Sequence, residues 1–254
     1  MNLTVDLNAD VGESTRGRPH GDDEGVMPHI TSANIACGFH AGDPGVMRAT
    51  VALALAHGVS VGAHPGLADL EGFGRREMPV SADEVENLVA YQVGALAGIA
   101  AAQGAPLAHV KPHGALYNMA SRERALADAI ARAVRAVDPS LVLFGLSNSE
   151  LVRAARAAGL AVASEAFADR GYLANGALAP RSAPGGVVSD VDAVLRRAAG
   201  MVLEQAVEAV DGTRVQLSVD TVCVHGDTPG AAQLASRLRA HLSAAGIAVR
   251  AIAR

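Results

Sequence analysis

Short runs rich in Val, Ile and Leu alternate with Ala-rich segments of helical periodicity along nearly the whole sequence. The predicted strands cover residues 3–8, 33–37, 59–63, 109–111, 141–145, 161–165, 221–225 and 249–252. Strands that alternate with helices in this way predict a parallel sheet with right-handed crossovers. Because half of the 254 residues are apolar, the chain can fill the core of one large α/β domain, which we place at residues 1–254.

The predicted helices carry recognisable start and stop signals. Asp43-Pro44 combines an N-cap residue with proline at the first helical position. Ser81-Ala-Asp-Glu84 is a capping box that predicts a helix to about residue 103. Similar start signals begin at Ser147, Ser189 and Thr228. Four helices are predicted to end at a glycine that precedes a strand: Gly58, Gly104, Gly159 and Gly246.

Polar side chains follow almost every predicted strand at its carboxyl end. They include Asp10, His40, His64, Lys111, Asp169 and His225. In a barrel of parallel strands these ends open on one face, where active sites lie. A doubly wound sheet would instead gather its ligands at one switch point. The even spread therefore predicts a closed, TIM-like β/α barrel.

Lys111 is the only lysine of the chain, which has twenty arginines. It lies in the segment His109-Val-Lys-Pro-His113, and the extended backbone favoured before Pro112 would point these three titratable side chains to one side. Arg keeps its charge, whereas Lys offers a compact amine whose pKa falls readily on burial. The segment therefore predicts acid–base or point-charge chemistry at Lys111.

The composition argues against several classes of protein. The net charge of −5 and the pI near 6.0 disfavour nucleic acid as the main partner. Cys37 and Cys223 show no paired spacing, so neither a zinc ribbon nor a disulfide framework is indicated. The sequence shows no leader pattern and no apolar run long enough to span a bilayer, which favours the cytoplasm.

Two segments interrupt the alternation of strands and helices. Residues 12–28 are rich in Gly, Asp and Arg and predict a long loop, and residues 170–188 predict a loop or short hairpin. Loops of this length in a compact domain are usually functional.

Two chemical interpretations of the polar residues remain open. In the first, Asp10, His40 and His64 bind a divalent metal ion that activates water. In the second, Lys111, His113 and Asp169 transfer protons, while Arg75, Arg76 or Arg170 holds an anionic group of the substrate. Structural roles explain other polar residues better: Asp43, Ser147 and Thr228 as helix caps, and Asp6 as a hydrogen-bonded carboxylate of the core.

Six motifs, in order along the chain, resemble the LamB/YcsF family of 5-oxoprolinase A subunits. They begin at Asp6-Leu-Asn-Ala-Asp-Val-Gly-Glu, Ser32-Ala-Asn-Ile-Ala-Cys-Gly-Phe-His, Gly62-Ala-His-Pro-Gly, His109-Val-Lys-Pro-His-Gly, Glu165-Ala-Phe-Ala-Asp-Arg and Thr221-Val-Cys-Val-His-Gly-Asp. The resemblance implies a distorted, seven-stranded β/α barrel similar to the glycoside hydrolase/deacetylase fold. It also implies ATP-dependent opening of the lactam of 5-oxo-L-proline to L-glutamate, together with two partner subunits, B and C.

On these grounds we assign the candidate residues to roles. We predict catalytic roles for Asp10, Lys111, His113, Asp169 and His225. We predict substrate-binding roles for Asn8, Asn34, Arg75, Arg76, Asn118, Glu165 and Arg170. The chain has no P-loop. This absence is consistent with binding of ATP and Mg²⁺ by the partner subunits. Two alternative functions remain: a stand-alone metal-dependent deacetylase or amidohydrolase, and a non-catalytic subunit of the complex. The chain could also form a homo-oligomer.

Overall fold

A β-barrel is surrounded by an outer layer of α-helices in the computed structural model, which describes residues 3–15, 19–225 and 230–252. The strands of the described residues are β1 (Thr4–Val11), β2 (Ser32–Ala36), β3 (Ser60–His64), β4 (Leu107–Val110), β5 (Val142–Leu146), β6 (Ala161–Phe167), β7 (Ala206–Glu208), β8 (Arg214–Gln216), β9 (Thr221–His225) and β10 (Ala248–Val249). The helices are α1 (Asp23–Val26), α2 (Pro44–Ala56), α3 (Ala82–Ala101), α4 (Gly114–Arg122), α5 (Arg124–Val137), α6 (Glu150–Ala157), α7 (Val191–Glu204) and α8 (Ala231–Ala244).

Seven parallel strands close the barrel in the order β1-β2-β3-β4-β5-β6-β9, and β9 pairs with β1. The predicted barrel is therefore confirmed. β10 pairs with the start of β1 outside the ring, so the predicted strand at 249–252 is shorter and lies earlier in the chain. β7 and β8 form an antiparallel hairpin that the sequence analysis missed, because three-residue strands are too short to show an alternating pattern.

The helix caps confirm some start signals and correct others. The Asp43 side chain accepts hydrogen bonds from the backbone N–H groups of Gly45 and Val46, and Ser81 forms the full capping box. All four predicted helix-ending glycines have positive φ.

Two start signals differ from the prediction, and a third is not tested. The α6 cap is Ser149, whereas the Ser147 hydroxyl accepts a hydrogen bond from the Ser218 N–H. The α7 cap is Asp190 and not Ser189. Thr228 lies outside the described residues. The prediction failed at Ser147 because two serines in one short segment offer alternative caps that local sequence does not distinguish.

The two long segments are only partly irregular. The first contains α1 and a 3₁₀ turn at Met27–His29, so its prediction as one long loop is wrong. The helix was missed because it is one turn long, and Asp22 caps it by accepting from the Gly25 N–H. The second is a loop closed by two isolated antiparallel bridges, Arg170 with Val187 and Tyr172 with Leu178.

The apolar core lies between the strands and the helices, and the barrel interior is polar. Val5, Leu7 and Ala9 of β1 are buried in the main apolar cluster. Asp6 and Asn8 alternate with them and form hydrogen bonds to Thr221 on the adjacent strand β9. None of the described helices is both long and apolar enough to cross a membrane.

Candidate functional site

Lys111 lies immediately after β4, at the carboxyl ends of the strands, and its ammonium group is buried among groups from three other strands. Nζ lies 3.0 Å from Oδ1 of Asp10 and 2.8 Å from Oε1 of Glu165. It also donates to Oδ1 of Asn8 at 3.1 Å and approaches Sγ of Cys223 at 3.1 Å. Two carboxylates thus compensate for the removal of this charge from water.

The charge state of Lys111 follows from these contacts. Burial by itself lowers the pKa of the amine, but the carboxylates of Asp10 and Glu165 outweigh burial and raise that pKa well above its usual value. Burial raises the pKa of the Cys223 thiol, so that neighbour stays neutral. Lys111 is therefore a fixed ammonium, which favours a point-charge role over that of a base.

A chain of hydrogen bonds beneath Lys111 fixes the amide groups of the barrel interior. Nδ2 of Asn8 donates to Glu165 and Thr221, so its Oδ1 faces Lys111. Nδ2 of Asn34 donates to Oδ1 of Asn8 and to Oδ1 of Asp10. Both asparagines are fully buried below the carboxyl ends of the strands. They therefore hold Asp10 and Lys111 in place.

His109 is a buried neutral histidine of this network. Its Nε2 lies 2.8 Å from Oδ1 of Asn34, which can only accept, so Nε2 carries the proton. The ring stacks on Phe144 with 4.3 Å between centroids. Burial and then the charge of Lys111 lower the pKa of His109 to about 3.

Acidification should destabilise the protein through His109. Between about pH 6.5 and pH 3 the unfolded chain binds a proton at this residue and the folded chain does not, so the free energy of unfolding falls as the pH falls. The loss is about 1.4 kcal/mol per pH unit. Urea unfolding at a series of pH values measures it. His109→Gln should reduce the pH dependence of the free energy of unfolding. His57→Gln, at an exposed site, should leave it unchanged. Equal slopes in the unmodified chain and both variants would refute the lowered pKa of His109.

A second group of titratable side chains lies beside Lys111. Ligand atoms of Glu13, His40, His64 and His113 all lie within 4.8 Å of one another, and all four residues are buried. Nε2 of His64 is 2.9 Å from Nδ1 of His113 and 3.4 Å from Oδ2 of Asp10. Oε1 of Glu13 is 3.5 Å from Nδ1 of His113 and 3.6 Å from Nε2 of His40. The group is of a type that could hold a metal ion.

The His40 and His113 rings of this group are held neutral and close together. Burial and then the neighbouring His113 and His64 lower the pKa of His40 well below its usual value. Burial and then His64 lower the pKa of His113 to about 3. The His40 and His113 rings stack with 3.8 Å between centroids and 2° between planes.

A cavity of about 800 Å³ opens above both groups, at the carboxyl ends of the strands. Its floor is formed by Asp10, His64, Lys111 and His113. The 170–188 loop contributes much of its wall. The charged lining consists of six cationic and three acidic residues: Arg75, Lys111, Arg122, Arg153, Arg170, Arg181, Asp10, Glu77 and Glu150. This excess of positive charge favours an anionic ligand.

The LamB/YcsF family model matches residues 5–254 of the chain. The chain belongs to the LamB/YcsF family. It is 56% identical over 251 residues to the A subunit of 5-oxoprolinase from Bordetella pertussis, a match that covers 99% of this chain and 100% of that protein. The protein of the same name from Bacillus subtilis is 54% identical over 98% of this chain and 96% of its own length. The crystal structure of the lactam utilization protein from Thermus thermophilus superposes with a TM-score of 0.93 at 52% identity, covering 98% and 100% of the two chains.

Most predicted site residues of this LamB/YcsF chain converge on the cavity or the network below it. Asp10, Lys111 and His113 line the cavity, as do Arg75, Asn118 and Arg170. Asn8, Asn34 and Glu165 form the layer beneath. His40 and His64 lie in the four-residue group with Glu13 and His113, and Asp10 is beside it.

Other predicted residues lie apart from the cavity or have additional structural contacts. The Arg76 side chain is largely exposed and forms an ion pair with Asp69, which is buried. Asp169 is half-buried and is not among the described residues that line the cavity. The Arg170 guanidinium donates to the carbonyls of Gly186 and Ala179 and so fastens the loop. His225 ends β9, but its side chain lies outside the described part of the chain.

The sequence analysis did not assign a role to three buried residues of the site. Glu13 follows β1 directly, and its carboxylate faces His40 and His113. The Tyr117 hydroxyl donates to Oε2 of Glu165 at 2.7 Å, and Cys223 contacts Lys111. The acidic pattern Asp10-x-x-Glu13 after a strand is a signal for Glu13. Nothing local marks Tyr117, because it lies on α4 among apolar residues.

Proposed function

We propose that this chain is the A subunit of an ATP-dependent 5-oxoprolinase, which opens the lactam of 5-oxo-L-proline to give L-glutamate, ADP and phosphate. The observation that carries the proposal is the 54–56% identity to 5-oxoprolinase A subunits over nearly the full length of both chains. The charge and shape of the cavity support it, since the substrate carries a carboxylate and the lining has an excess of positive charge.

The groups at the floor of the cavity suit the opening of a stable amide. Phosphorylation of the lactam oxygen by ATP would release ADP and activate the ring carbon. Attack of one water on that carbon, with cleavage of its bond to the ring nitrogen and protonation of that nitrogen, would open the ring to an acyl phosphate. A second water would then release phosphate and leave L-glutamate. The Lys111 ammonium is placed to stabilise negative charge on the substrate, because it is held rigidly by Asp10 and Glu165. Asp10 and His113 line the cavity and are the candidates that would position the water.

The anionic end of the substrate requires cations near the cavity mouth. Arg75 reaches the cavity from the turn before α3, with its guanidinium 5.0 Å from the centroid of the Phe73 ring. We therefore propose Arg75 as a residue that holds the substrate carboxylate, with Asn118 beside the same cavity.

The chain lacks a P-loop, and we propose that partner subunits B and C bind ATP with Mg²⁺ and perform the phosphoryl transfer. The assembly would work in the cytoplasm. This chain would then receive an activated lactam from its partners and complete the hydrolysis.

Glutamate formation from 5-oxoproline tests the proposal. The chain together with subunits B and C should form glutamate only when ATP is present, whereas neither the chain alone nor the partners alone should do so. ADP release, measured in the same reaction, should match glutamate one to one. Omission of 5-oxoproline is the control for uncoupled ATP hydrolysis.

Two results would favour other functions. ATP-independent hydrolysis by the chain alone, lost with a chelator, would indicate a metal-dependent amidohydrolase, which the Glu13, His40, His64 and His113 group makes plausible. An unchanged rate of the complex in variants of Asp10, Lys111 and His113 would indicate a chain that only stabilises its partners.

A further inference from the structure

His64 and His113 face each other through one ring nitrogen each, and the other nitrogen of each ring contacts a backbone carbonyl. Nδ1 of His64 lies 2.7 Å from the carbonyl oxygen of Lys111, and Nε2 of His113 lies 2.8 Å from the carbonyl oxygen of Phe73. A carbonyl oxygen only accepts, so each of these nitrogens carries a proton. In the neutral imidazoles, the remaining nitrogens, Nε2 of His64 and Nδ1 of His113, then present lone pairs to each other across 2.9 Å. Two lone pairs at this distance repel unless a cation lies beside them.

Two further side chains, those of Glu13 and His40, have donor atoms close to these two nitrogens. Oε1 of Glu13 lies 3.5 Å from Nδ1 of His113, and the carboxylate is buried. His40 is fully buried, and neither of its ring nitrogens has a hydrogen-bond partner among the described residues. Its Nε2 is 3.6 Å from Glu13, which is too long for a hydrogen bond. A buried imidazole without partners is costly, and a bound cation would satisfy its acceptor nitrogen.

We propose that Glu13, His40, His64 and His113 bind one divalent transition-metal ion of the zinc class. Three imidazoles and one carboxylate are ligands that Zn²⁺ and its neighbours in the first row prefer, whereas Mg²⁺ and Ca²⁺ prefer oxygen ligands. Ligand atoms around tetrahedral zinc lie about 3.3 Å apart, given bonds of about 2.0–2.1 Å. Three of the six separations between the donor atoms, 2.9, 3.5 and 3.6 Å, bracket that value, and none exceeds 4.8 Å. Binding would turn the His40 ring out of its parallel stack on His113, because each imidazole binds an ion in its own ring plane.

The surroundings of His64 and His113 match those of metal ligands. A ligating histidine usually donates its other N–H to a carbonyl or carboxylate, which fixes the ring orientation. Both rings do so here, through the carbonyls of Lys111 and Phe73. His64 and His113 also line the large cavity, so an ion has an entry path from solvent.

Asp10 lies between the proposed ion site and Lys111. Oδ1 of Asp10 is held by Lys111 and Asn34, and Oδ2 lies 3.4 Å from Nε2 of His64. The sequence-based ligand set of Asp10, His40 and His64 thus shares two members with the proposed set. An ion here would polarise an oxygen of a cavity ligand or acidify a bound water. Metal binding stands apart from the proposed 5-oxoprolinase reaction, because it requires neither ATP nor partner subunits.

Metal binding to the purified full-length chain tests the proposal. After treatment with a chelator and its removal, the chain should take up one equivalent of Zn²⁺ in a calorimetric titration. Co²⁺ should bind with the same stoichiometry and produce the visible absorption of a nitrogen-ligated ion, which Zn²⁺ should displace. Anomalous scattering at the zinc edge from soaked crystals should place the ion among the four side chains.

Substitutions within the group should weaken the site, and a matched substitution outside it should not. We expect His64→Gln and Glu13→Gln each to weaken Zn²⁺ binding by at least about 100-fold. His109→Gln changes another buried histidine that belongs to the barrel interior and should bind Zn²⁺ as the unmodified chain does. Circular dichroism establishes that each variant is folded.

Clear results would overturn the proposal. The proposal fails if the unmodified chain binds less than a tenth of an equivalent of both ions, or if the anomalous peak lies away from the four residues. It also fails if ¹⁵N chemical shifts of the zinc-treated chain show His64 and His113 sharing a proton, because the facing nitrogens would then be satisfied without a metal. These measurements on the unmodified chain decide the question even if a variant does not fold.

Discussion

Replacing Lys111 with Met should abolish ATP-dependent glutamate formation by the complex of this chain with subunits B and C. The ammonium is held from below by two buried carboxylates at the cavity floor. Methionine fills a similar volume but carries no charge, so stabilisation of negative charge on the substrate is lost. Removal of one such group typically lowers kcat by about 100- to 1,000-fold, and we expect a loss of at least that size.

The same substitution should also lower the stability of the protein. Without the ammonium, Asp10 and Glu165 would remain buried beside each other with no cation between them. Removal of one partner from a buried ion pair costs about 3–5 kcal/mol in the free energy of unfolding. Urea unfolding of Lys111→Met beside the unmodified chain measures this loss.

A double substitution separates the two effects. Lys111→Met combined with Glu165→Gln removes one cation and one anion, and Gln can still accept a hydrogen bond from Tyr117. We expect this variant to regain part of the lost stability and none of the activity. Arg132→Met is the surface control, because Arg132 forms an exposed ion pair with Glu86 and should matter for neither property. Near-normal glutamate formation in folded Lys111→Met would remove Lys111 from the mechanism.

Gly62→Ala should strongly destabilise the barrel. A Cβ atom at residue 62 would lie 2.0 Å from Nε2 of His109, inside the barrel. The ring cannot move away easily, because it is bonded to Asn34 and stacked on Phe144. Overpacking of a core costs about 1–3 kcal/mol and occasionally more. We expect the free energy of unfolding to fall by an amount at or above the upper end of this range, measured as a shift of the urea midpoint.

A helical glycine with open space around it provides the matched control. A Cβ at Gly94, within α3, would meet no atom within 4 Å. Gly94→Ala should therefore be neutral or stabilising by up to about 1 kcal/mol, as expected for alanine in a helix. Adding His109→Ala to Gly62→Ala should recover stability by removing the obstructing ring. Unchanged stability of Gly62→Ala alone would show that this contact is not tight in solution.

Local sequence patterns determined much of the architecture. The strand at Thr221–His225 and the helix that begins at the Ser81 capping box follow directly from residues that are adjacent in the chain. The alternation of strands and helices predicted a parallel sheet, and the polar residues at the strand ends predicted the barrel and its active face. Lys111 was identifiable because it is the only lysine.

Neighbouring residues with the same chemistry were separated only by the fold. Arg75 and Arg76 are indistinguishable in sequence. The turn that precedes them, in which Phe73 and Gly74 have φ of 55° and 62°, directs Arg75 to the cavity and Arg76 to Asp69. The side-chain directions depend on this backbone conformation, which a run of two arginines does not reveal.

The amino-acid sequence by itself determined the family, the alternation of barrel strands and helices, and several of the residues that line the cavity. Only the tertiary structure determined which of those residues touch. Lys111 meets Asp10, 101 residues away, because β1 and β4 are brought to opposite sides of one closed ring. Glu13 joins three histidines for the same reason. Closure of a barrel is a non-local event that depends on the pairing register of all seven strands, so no local pattern encodes these contacts.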